Sequence, residues 1–362
     1  MQDDLIPYLK IIRCPKVGPK TFLRLFDQFA GDSNLILKFL KNNEFNIPSD
    51  KDIHNEVNAF LKMKGTFLFF KDENYPNLLK AIDAPPPILM VLGNLDVLKK
   101  EALSIIGARN ASLIGQRYIS RIANFFAEHN FAIVSGLARG MDTAAHKASV
   151  EQGTIAVLSG GVDQIYPQEN KSLYEAIQEK GVILSEMPLG TVPSAQLFAR
   201  RNRIISGLSK ATIISEAAKH SGSMITAEFA LTQGREVFVV PSHPSDPRSE
   251  GGNWLIQQGA HLFQKEQDVL DVLNSLPKTQ KIEQKIIFKK QEEKISQNEN
   301  DMTEPKALED KILTLLNDIP IEMEDLFNHF SEVDMTEIMS TLSRLNLKGS
   351  LIIHPNQTIS RI

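Results

Sequence analysis

Residues 131–142 read F-A-I-V-S-G-L-A-R-G-M-D, an apolar run that passes directly into glycines, an arginine and an aspartate. A short, continuously apolar run is typical of a parallel strand buried on both faces. Five similar runs alternate with amphipathic helical segments, at 103–106, 154–158, 182–184, 211–214 and 237–240. The alternation predicts a Rossmann-like, doubly wound α/β domain, in which ligands bind outside the carboxyl ends of the strands.

The first three predicted strands all end in glycine-bearing loops. The loop residues with phosphate-binding chemistry are Gly107 and Arg109 in the first loop, and Ser135, Gly136 and Arg139 in the second. Glycine allows close backbone approach, a helix N-terminus offers unpaired N–H donors, and arginine binds phosphate through two hydrogen bonds. One such loop is equally well explained as a tight turn, but three consecutive loops favour a phosphate-binding surface along the carboxyl ends of the strands.

The segment 198–210 reads F-A-R-R-N-R-I-I-S-G-L-S-K and contains no acidic residue. It carries a formal charge of +4 in a chain of 362 residues whose net charge is -4. The positive charge is therefore local, and a polyanion has one preferred place to dock.

This cationic segment has the side chains that single-stranded nucleic acid requires. Arg200, Arg201 and Arg203 suit backbone phosphates, Phe198 offers a ring for base stacking, and Asn202 positions the loop or reads a base edge. We expect at most one of the three arginines to be paired internally with an acidic residue.

The sequence lacks the motifs that usually bind several classes of ligand. No glycine is followed by lysine and no G-x-G occurs, which argues against a Walker A loop and a standard dinucleotide fingerprint. A single cysteine and eight scattered histidines without H-E-x-x-H spacing predict no metal site, and no cofactor is expected. The N-terminal M-Q-D-D and the absence of an apolar run of about 18 residues predict a cytoplasmic protein without a membrane span.

Two further motifs leave alternatives open. Asp142 and His146 are four residues apart on a predicted helix, which suits acid–base chemistry, although a helix cap and a packed histidine are favoured. The stretch S-G-S-M-I-T-A-E at 221–228 opens another helix, where the serines and amides bind a phosphate or Ser223 simply caps the helix.

The flanking regions predict separate domains. Residues 1–65 have helical periodicity and include the turn V-G-P-K-T, which either packs helices or presents amides as helix-hairpin-helix proteins do.

Residues 277–306 are rich in charge and predict a linker, with a helical segment near 282–288. Residues 307–362 predict three helices and a hairpin at 351–362, a winged helix. This last region has four basic and nine acidic residues, a formal charge of -5, which favours a structural or protein-contact role over groove binding.

The central motifs, in their order and spacing, resemble the bacterial DNA-processing protein family DprA, also called Smf. The resemblance covers most of the chain and is strongest over the central domain, predicted at 66–276. It rests on I-I-G-A-R at 105–109, S-G-L-A-R-G-M-D at 135–142, G-G-V-D-Q-I-Y-P-Q-E-N at 160–170, R-N-R-I-I-S-G-L-S at 201–209, G-S-M-I-T-A at 222–227, G-R-E-V-F-V-V-P at 234–241 and G-N-W-L-I-Q-Q-G-A at 252–260.

The resemblance implies a protein without enzymatic activity that binds incoming single-stranded DNA during natural transformation, protects it and loads RecA recombinase onto it. It also implies a homodimer formed through the Rossmann-like domain, a sterile-alpha-motif or helix-hairpin-helix-like N-terminal domain, and a C-terminal winged helix. By matching position, the groove residues are Arg109, Phe198, Arg201 and Arg203, with Ser135, Gly136 and Lys171 nearby.

One enzymatic alternative has a related fold. Nucleotide phosphoribohydrolases of the LOG type use a glutamate within P-G-G-x-G-T-x-x-E to cleave a glycosidic bond. This chain has G-S-M-I-T-A-E at 222–228 in the comparable place and lacks the P-G-G-x-G-T core. A pure interaction scaffold is a third reading, and it leaves the cationic segment unexplained.

Overall fold

The fold is described from a computed structural model of the chain. The described residues are 3–275, 312–313, 321–322, 326, 329–330, 338, 341–342, 345, 351–353 and 358–361. The chain divides into two units, Met1–Thr279 and Gln280–Ile362. The predicted helical segment at 282–288 and much of the predicted winged helix lie outside the described residues.

Four helices open the chain, as the periodicity predicts. They are α1 (Ile6–Arg13), α2 (Pro19–Gln28), α3 (Ser33–Asn42) and α4 (Asp50–Lys62). Proline occupies the first position of α2, and the Asp32 carboxylate caps α3 by accepting hydrogen bonds from two backbone amides. Phe22 and Leu40 lie in the same buried cluster as Val91 of the central sheet, so these helices share the core of the sheet.

A nine-stranded sheet forms the centre of the first unit. Its strands are β1 (Thr66–Phe69), β2 (Ile88–Gly93), β3 (Ala102–Gly107), β4 (Ala132–Ser135), β5 (Thr154–Val157), β6 (Val182–Ser185), β7 (Ala211–Ser215), β8 (Glu236–Val240) and β9 (His261–Leu262). The strand order is β1-β2-β6-β5-β4-β3-β7-β8-β9. All six predicted strands are present and pair in parallel, which confirms the predicted parallel sheet.

Three strands extend this sheet beyond the prediction. The strands β1 and β2 join the edge next to β6 in antiparallel pairing, and β9 joins β8 at the opposite edge. Every residue of β2 except the terminal Gly93 is buried, because the helix Lys171–Lys180 and the sheet neighbours cover it. Its apolar run at 88–92 resembles a buried strand, but it precedes the alternating pattern and was not recognised.

Helices cover both faces of the sheet. They are α5 (Asn77–Lys80), α6 (Leu113–Glu128), α7 (Met141–Ser149), α8 (Lys171–Lys180), α9 (Ala195–Gly207), α10 (Gly222–Thr232), α11 (Glu250–Gln257) and α12 (Glu266–Ser275). One apolar cluster joins Phe126 of α6 to Ile105 and Phe238 of the strands, and another joins Ile205 of α9 to Ile106 and Ile214. No helix in the described part of the chain is both long and apolar enough to cross a membrane.

The second unit contains a small antiparallel sheet. Its strands are β10 (Ile321–Glu322), β11 (Leu351–Ile353) and β12 (Thr358–Arg361), in the order β10-β12-β11. The antiparallel pairing of β11 with β12 confirms the predicted hairpin. Among the residues described here, Ile312, Leu326, Ile338 and Leu342 are buried together, whereas the winged-helix assignment stays a prediction.

Candidate nucleic-acid interface

The topology places a crevice at the carboxyl edge of the sheet. The chain runs from β3 through β4 and β5 to β6 on one side, and then returns to β7 on the other side of β3. The loops after β3 and β7 therefore leave in opposite directions, and ligands of such sheets bind where this reversal occurs.

An aromatic and cationic cleft lies beside this crevice. The guanidinium of Arg109 lies over the Phe198 ring, 4.8 Å from the ring centroid, and the Tyr166 ring centroid is 5.6 Å from that of Phe198. The cleft encloses about 310 Å³ and is lined by Arg109, Asn110, Gly136, Ala138, Arg139, Tyr166, Pro167 and Phe198. Two rings and two arginines at one opening suit a ligand that has both flat bases and phosphates.

Tyr166 is the site residue that sequence reasoning missed. Its side chain is half exposed and lies against Phe198 of α9. The available signal was its position in the loop after the third glycine-ended strand, where the Y-P-Q-E-N motif begins.

The glycines of the strand-end loops serve close packing. A Cβ on Gly136 would lie 2.4 Å from Nη1 of Arg201. Gly140 has a φ of 75°, and a Cβ there would lie 2.3 Å from the carbonyl oxygen of Ala108. Only glycine fits these positions without displacement, so the two loops are held against each other and against α9.

Four other predicted site residues differ from one another in their exposure and in their hydrogen-bond or ion-pair partners. The Ser135 hydroxyl is fully buried and donates to the carbonyl of Ile105 at 2.6 Å, so it does not face the cleft. Gly107 ends β3, and its carbonyl accepts a hydrogen bond from Ser223. Arg139 is exposed but forms an ion pair with Glu169. Lys171 is exposed at the first turn of α8.

The cationic segment is a buried helix and not a loop. Residues 195–207 form α9, and every residue from 201 to 207 is buried. Arg201 is 5% exposed, and its Nη1 donates to the carbonyl of Gly136 at 2.8 Å and to that of Val157. Burial lowers the pKa of Arg201 to about 10, against the opposing effect of the nearby Asp142 carboxylate.

The expectation that at most one of the three arginines has an internal partner is wrong. Arg200 and Arg203 share one carboxylate, since Nε of Arg200 donates to Oε1 of Glu186 at 2.9 Å and Nη2 of Arg203 donates to Oε2 at 2.5 Å. A spacing of three residues puts both arginines on one face of α9, opposite the buried Glu186 that follows β6. Asn202 is also buried, and its Nδ2 donates to the carbonyl of Gly222 at 3.1 Å.

Asp142 and His146 have structural environments. Oδ2 of Asp142 accepts from the amides of Gly136 and Ala138 at 3.1 and 3.3 Å, which fixes the loop after β4. His146 is completely buried, with Nδ1 2.9 Å from the Thr154 hydroxyl. Burial, assisted by the charge of Arg201, lowers the pKa of His146 to about 3. The prediction of a packed histidine is therefore confirmed, whereas the predicted helix cap at Asp142 is wrong, because α7 has Gly140 at its N-cap and no side-chain cap hydrogen bond.

The fold and the cleft define a class: a Rossmann-like α/β protein with an aromatic and cationic cleft at the carboxyl edge of its parallel sheet. Residues 66–274 match the family model described as DNA recombination-mediator protein A. The match covers more than half of the chain, and the chain belongs to this family, the DprA/Smf family.

Named relatives agree with this assignment. Protein Smf from Synechocystis sp. is 41% identical over 217 residues, which are 58% of this chain and 54% of that protein. The chain thus spans about half the length of the Smf relatives that it matches.

Two solved structures are also similar. DNA processing protein A from Streptococcus pneumoniae has 33% identity and a TM-score of 0.56, covering 71% of this chain and 98% of that one. DNA processing protein A from Helicobacter pylori, for which a single-stranded DNA binding mode is described, has 30% identity and a TM-score of 0.54, covering 58% and 96%.

Proposed function

We propose that this chain binds single-stranded DNA through the cleft formed by Arg109, Tyr166 and Phe198. The observation that carries the proposal is the exposed Arg109 guanidinium over the Phe198 ring, with the Tyr166 ring tilted against Phe198, at the carboxyl edge of the parallel sheet. A base stacked on an aromatic ring contributes about 1 to 3 kcal/mol, and arginine adds a phosphate contact.

The geometry favours single strands over duplex DNA. A ring reaches the face of a base only when that base is unpaired or at a strand end. The buried Asn202 is engaged with the backbone of Gly222, so its amide does not serve as a base-reading group. Binding without sequence preference follows from stacking and phosphate contacts alone.

The relatives support the biological role that we propose. The similar protein from Helicobacter pylori is described with a single-stranded DNA binding mode, and the family is described as a recombination mediator. We propose that this chain acts in the cytoplasm during natural transformation, where it protects incoming strands and loads RecA recombinase onto them.

We further propose a homodimer formed through the Rossmann-like domain. Trp254 of α11 and Leu262 of the edge strand β9 are both about two-fifths exposed, at 43% and 40%. In the described sheet, β9 pairs with β8 alone, which leaves one of its edges available. Gel filtration of the wild type and of Trp254→Glu tests this part, because the variant is expected to elute as a monomer.

The environments of Asp142 and His146 do not suit acid–base catalysis at the cleft, which favours binding without catalysis by this pair. Asp142 is buried and bonded to two loop amides, and His146 is buried with a strongly lowered pKa. Both groups are therefore poorly placed to exchange protons with a ligand in the cleft.

Fluorescence anisotropy with a short oligothymidylate and a matched duplex tests the proposal. The wild type is expected to prefer the single strand, and Arg109→Ala is expected to bind more weakly, with a salt slope reduced by about 0.7. Lys180→Ala is the matched control, since Lys180 ends α8 just before β6 begins, at the amino edge of the sheet. Equal affinity for the duplex, or unchanged binding by Arg109→Ala, contradicts the proposal. A RecA-loading assay on strands coated with single-strand-binding protein tests the mediator role.

A further inference from the structure

A second cavity lies at the same edge of the sheet, between the loops that follow β3 and β7. It encloses about 450 Å³, and it shares Arg109 and Asn110 with the aromatic cleft. Its other side is formed by residues that the cleft does not use, including Asn202, Ser221, Gly222, Ser223 and Arg248. The cavity therefore occupies the reversal point of the strand order, and its volume is in the range of small-ligand sites.

The N-terminus of α10 opens into this cavity without a side-chain cap. Ser221 has the extended backbone of an N-cap residue, yet its hydroxyl makes no cap hydrogen bond. The Ser223 hydroxyl instead donates to the carbonyl of Gly107 at 3.0 Å, so the sequence-based reading of Ser223 as the cap is wrong. The Met224 amide donates to the carbonyl of Ser221 at 3.0 Å, and the two amides before it, of Gly222 and Ser223, have no side-chain cap and are available to an outside acceptor.

The Ser221 hydroxyl is a second, independent sign of a ligand. Its oxygen is buried and has no hydrogen-bond partner. A buried hydroxyl without a partner is costly, and such groups are rare in native proteins. A phosphate oxygen at the start of α10 would supply the missing partner.

The charges around the cavity favour an anion. Arg109, Arg201 and Arg248 line it, against one carboxylate in the lining, Asp142. Oδ2 of Asp142 already accepts hydrogen bonds from the amides of Gly136 and Ala138, and its charge is opposed by the nearby Arg201. Arg248 is paired with Asp246 and lies 3.8 Å from Glu216, so part of its charge is already balanced.

We propose that this cavity binds a nucleoside 5′-monophosphate, with the phosphate at the amides of α10 and at the Ser221 hydroxyl. The ligand is either a free nucleotide or the terminal nucleotide of a bound strand, and only the second form rests on the proposed function. The nucleoside occupies the part of the cavity that extends toward Arg109.

Calorimetric titration with thymidine 5′-monophosphate, against thymidine as the ligand without phosphate, tests the cavity directly. A Cβ on Gly222 meets no atom within 4 Å, so Gly222→Asp and Gly222→Asn both fit the structure. The aspartate is expected to weaken nucleotide binding about tenfold or more, because a like charge opposes the phosphate, and the neutral, isosteric asparagine to weaken it much less. An aspartate at a helix N-terminus favours the fold, so loss of binding is not loss of structure.

The Ser221→Ala variant tests whether the Ser221 hydroxyl contacts the ligand or is only a buried group without a hydrogen-bond partner. The variant is expected to bind the nucleotide roughly fivefold more weakly and to unfold at the same or a higher denaturant concentration, because no internal hydrogen bond is lost. Unchanged affinity in both Ser221→Ala and Gly222→Asp, or equal binding of thymidine and its monophosphate, overturns the proposal.

Oligonucleotides with a 5′-phosphate or a 5′-hydroxyl distinguish the two sources of the ligand. Tighter binding of the phosphorylated strand, lost in Gly222→Asp, supports the strand end, and binding of the free nucleotide alone supports a soluble ligand. If neither the nucleotide nor the strand end is recognised while oligothymidylate still binds, the cavity proposal fails and the proposed function stands. If oligothymidylate fails to bind while the nucleotide binds, the proposed function fails and the cavity proposal stands for a free nucleotide.

Discussion

Helix α9 and the loop after β3 both present arginines near the same cleft, but the two regions use them differently. On α9, Arg201 and Arg203 are more than nine-tenths buried and bonded to carbonyls or to Glu186. In the loop after β3, Arg109 is exposed and contacts a ring. Arginine therefore stabilises the fold in one region and is available to a ligand in the other.

The difference shows that the density of positive charge does not locate a binding surface. The segment 198–210 has the most concentrated charge, yet Arg200 and Arg203 share Glu186 and Lys210 pairs with Glu101, so three of its four cations have acidic partners within the protein. Removing a buried partner leaves a buried charge behind, whereas removing an exposed arginine changes the ligand-binding surface.

The largest effect is expected for Arg203→Ala. It leaves the buried Glu186 with only its partly exposed partner Arg200, and we expect a loss of about 3 kcal/mol in the free energy of unfolding. Arg200→Ala is the matched control on the same carboxylate, and it should cost at most about 1 kcal/mol because that arginine is 40% exposed. Urea unfolding measures both. Equal losses in the two variants would remove the distinction between buried and exposed arginines.

Phe198→Ala is expected to weaken binding of oligothymidylate by about 1 to 3 kcal/mol, roughly 5- to 150-fold. The salt slope should stay that of the wild type, because the ring contacts no phosphate. Phe198→Tyr keeps the ring and should bind nearly as the wild type does. A changed salt slope in Phe198→Ala would mean that the ring acts only by positioning Arg109.

The buried region should also show a characteristic pH dependence. Since the pKa of His146 falls to about 3 in the folded protein, from about 6.5 in the unfolded chain, the unfolded chain binds the extra proton between these values. Stability is therefore lost as the pH falls below about 6.5, at up to about 1.4 kcal/mol per pH unit from this group. Unfolding measured from pH 7 to 4 should show a shallower slope in His146→Gln than in the wild type. His54→Gln, at an exposed position, is the control, and identical slopes in the wild type and His146→Gln would refute the assignment.

The smallest effect is expected at the exposed Arg139–Glu169 pair. Glu169→Gln releases Arg139 toward the cleft, so we expect about two- to threefold tighter binding of oligothymidylate at low salt. The change in unfolding free energy should stay below about 1 kcal/mol, because both side chains are more than half exposed. Weaker binding in this variant would place Arg139 outside the DNA path.

Much of the fold was predictable from local pattern. The six central strands are continuous apolar runs, and the strand-end loops are marked by glycines whose packing the structure explains. The antiparallel strands β1 and β2 were missed because they precede the alternation of strands and helices. Tyr166 was missed because its partner Phe198 lies 32 residues further along the chain, on another element.

The sequence by itself determined the strand class, the positions of the glycine loops and the presence of an aromatic, cationic edge. Only the tertiary structure decided which arginines face solvent. Glu186 lies 14 and 17 residues before its two arginine partners, and Gly136 lies 65 residues before Arg201, so no local pattern reveals these contacts. Burial is set by the elements that pack around a side chain, and a buried guanidinium must find partners wherever the fold places them.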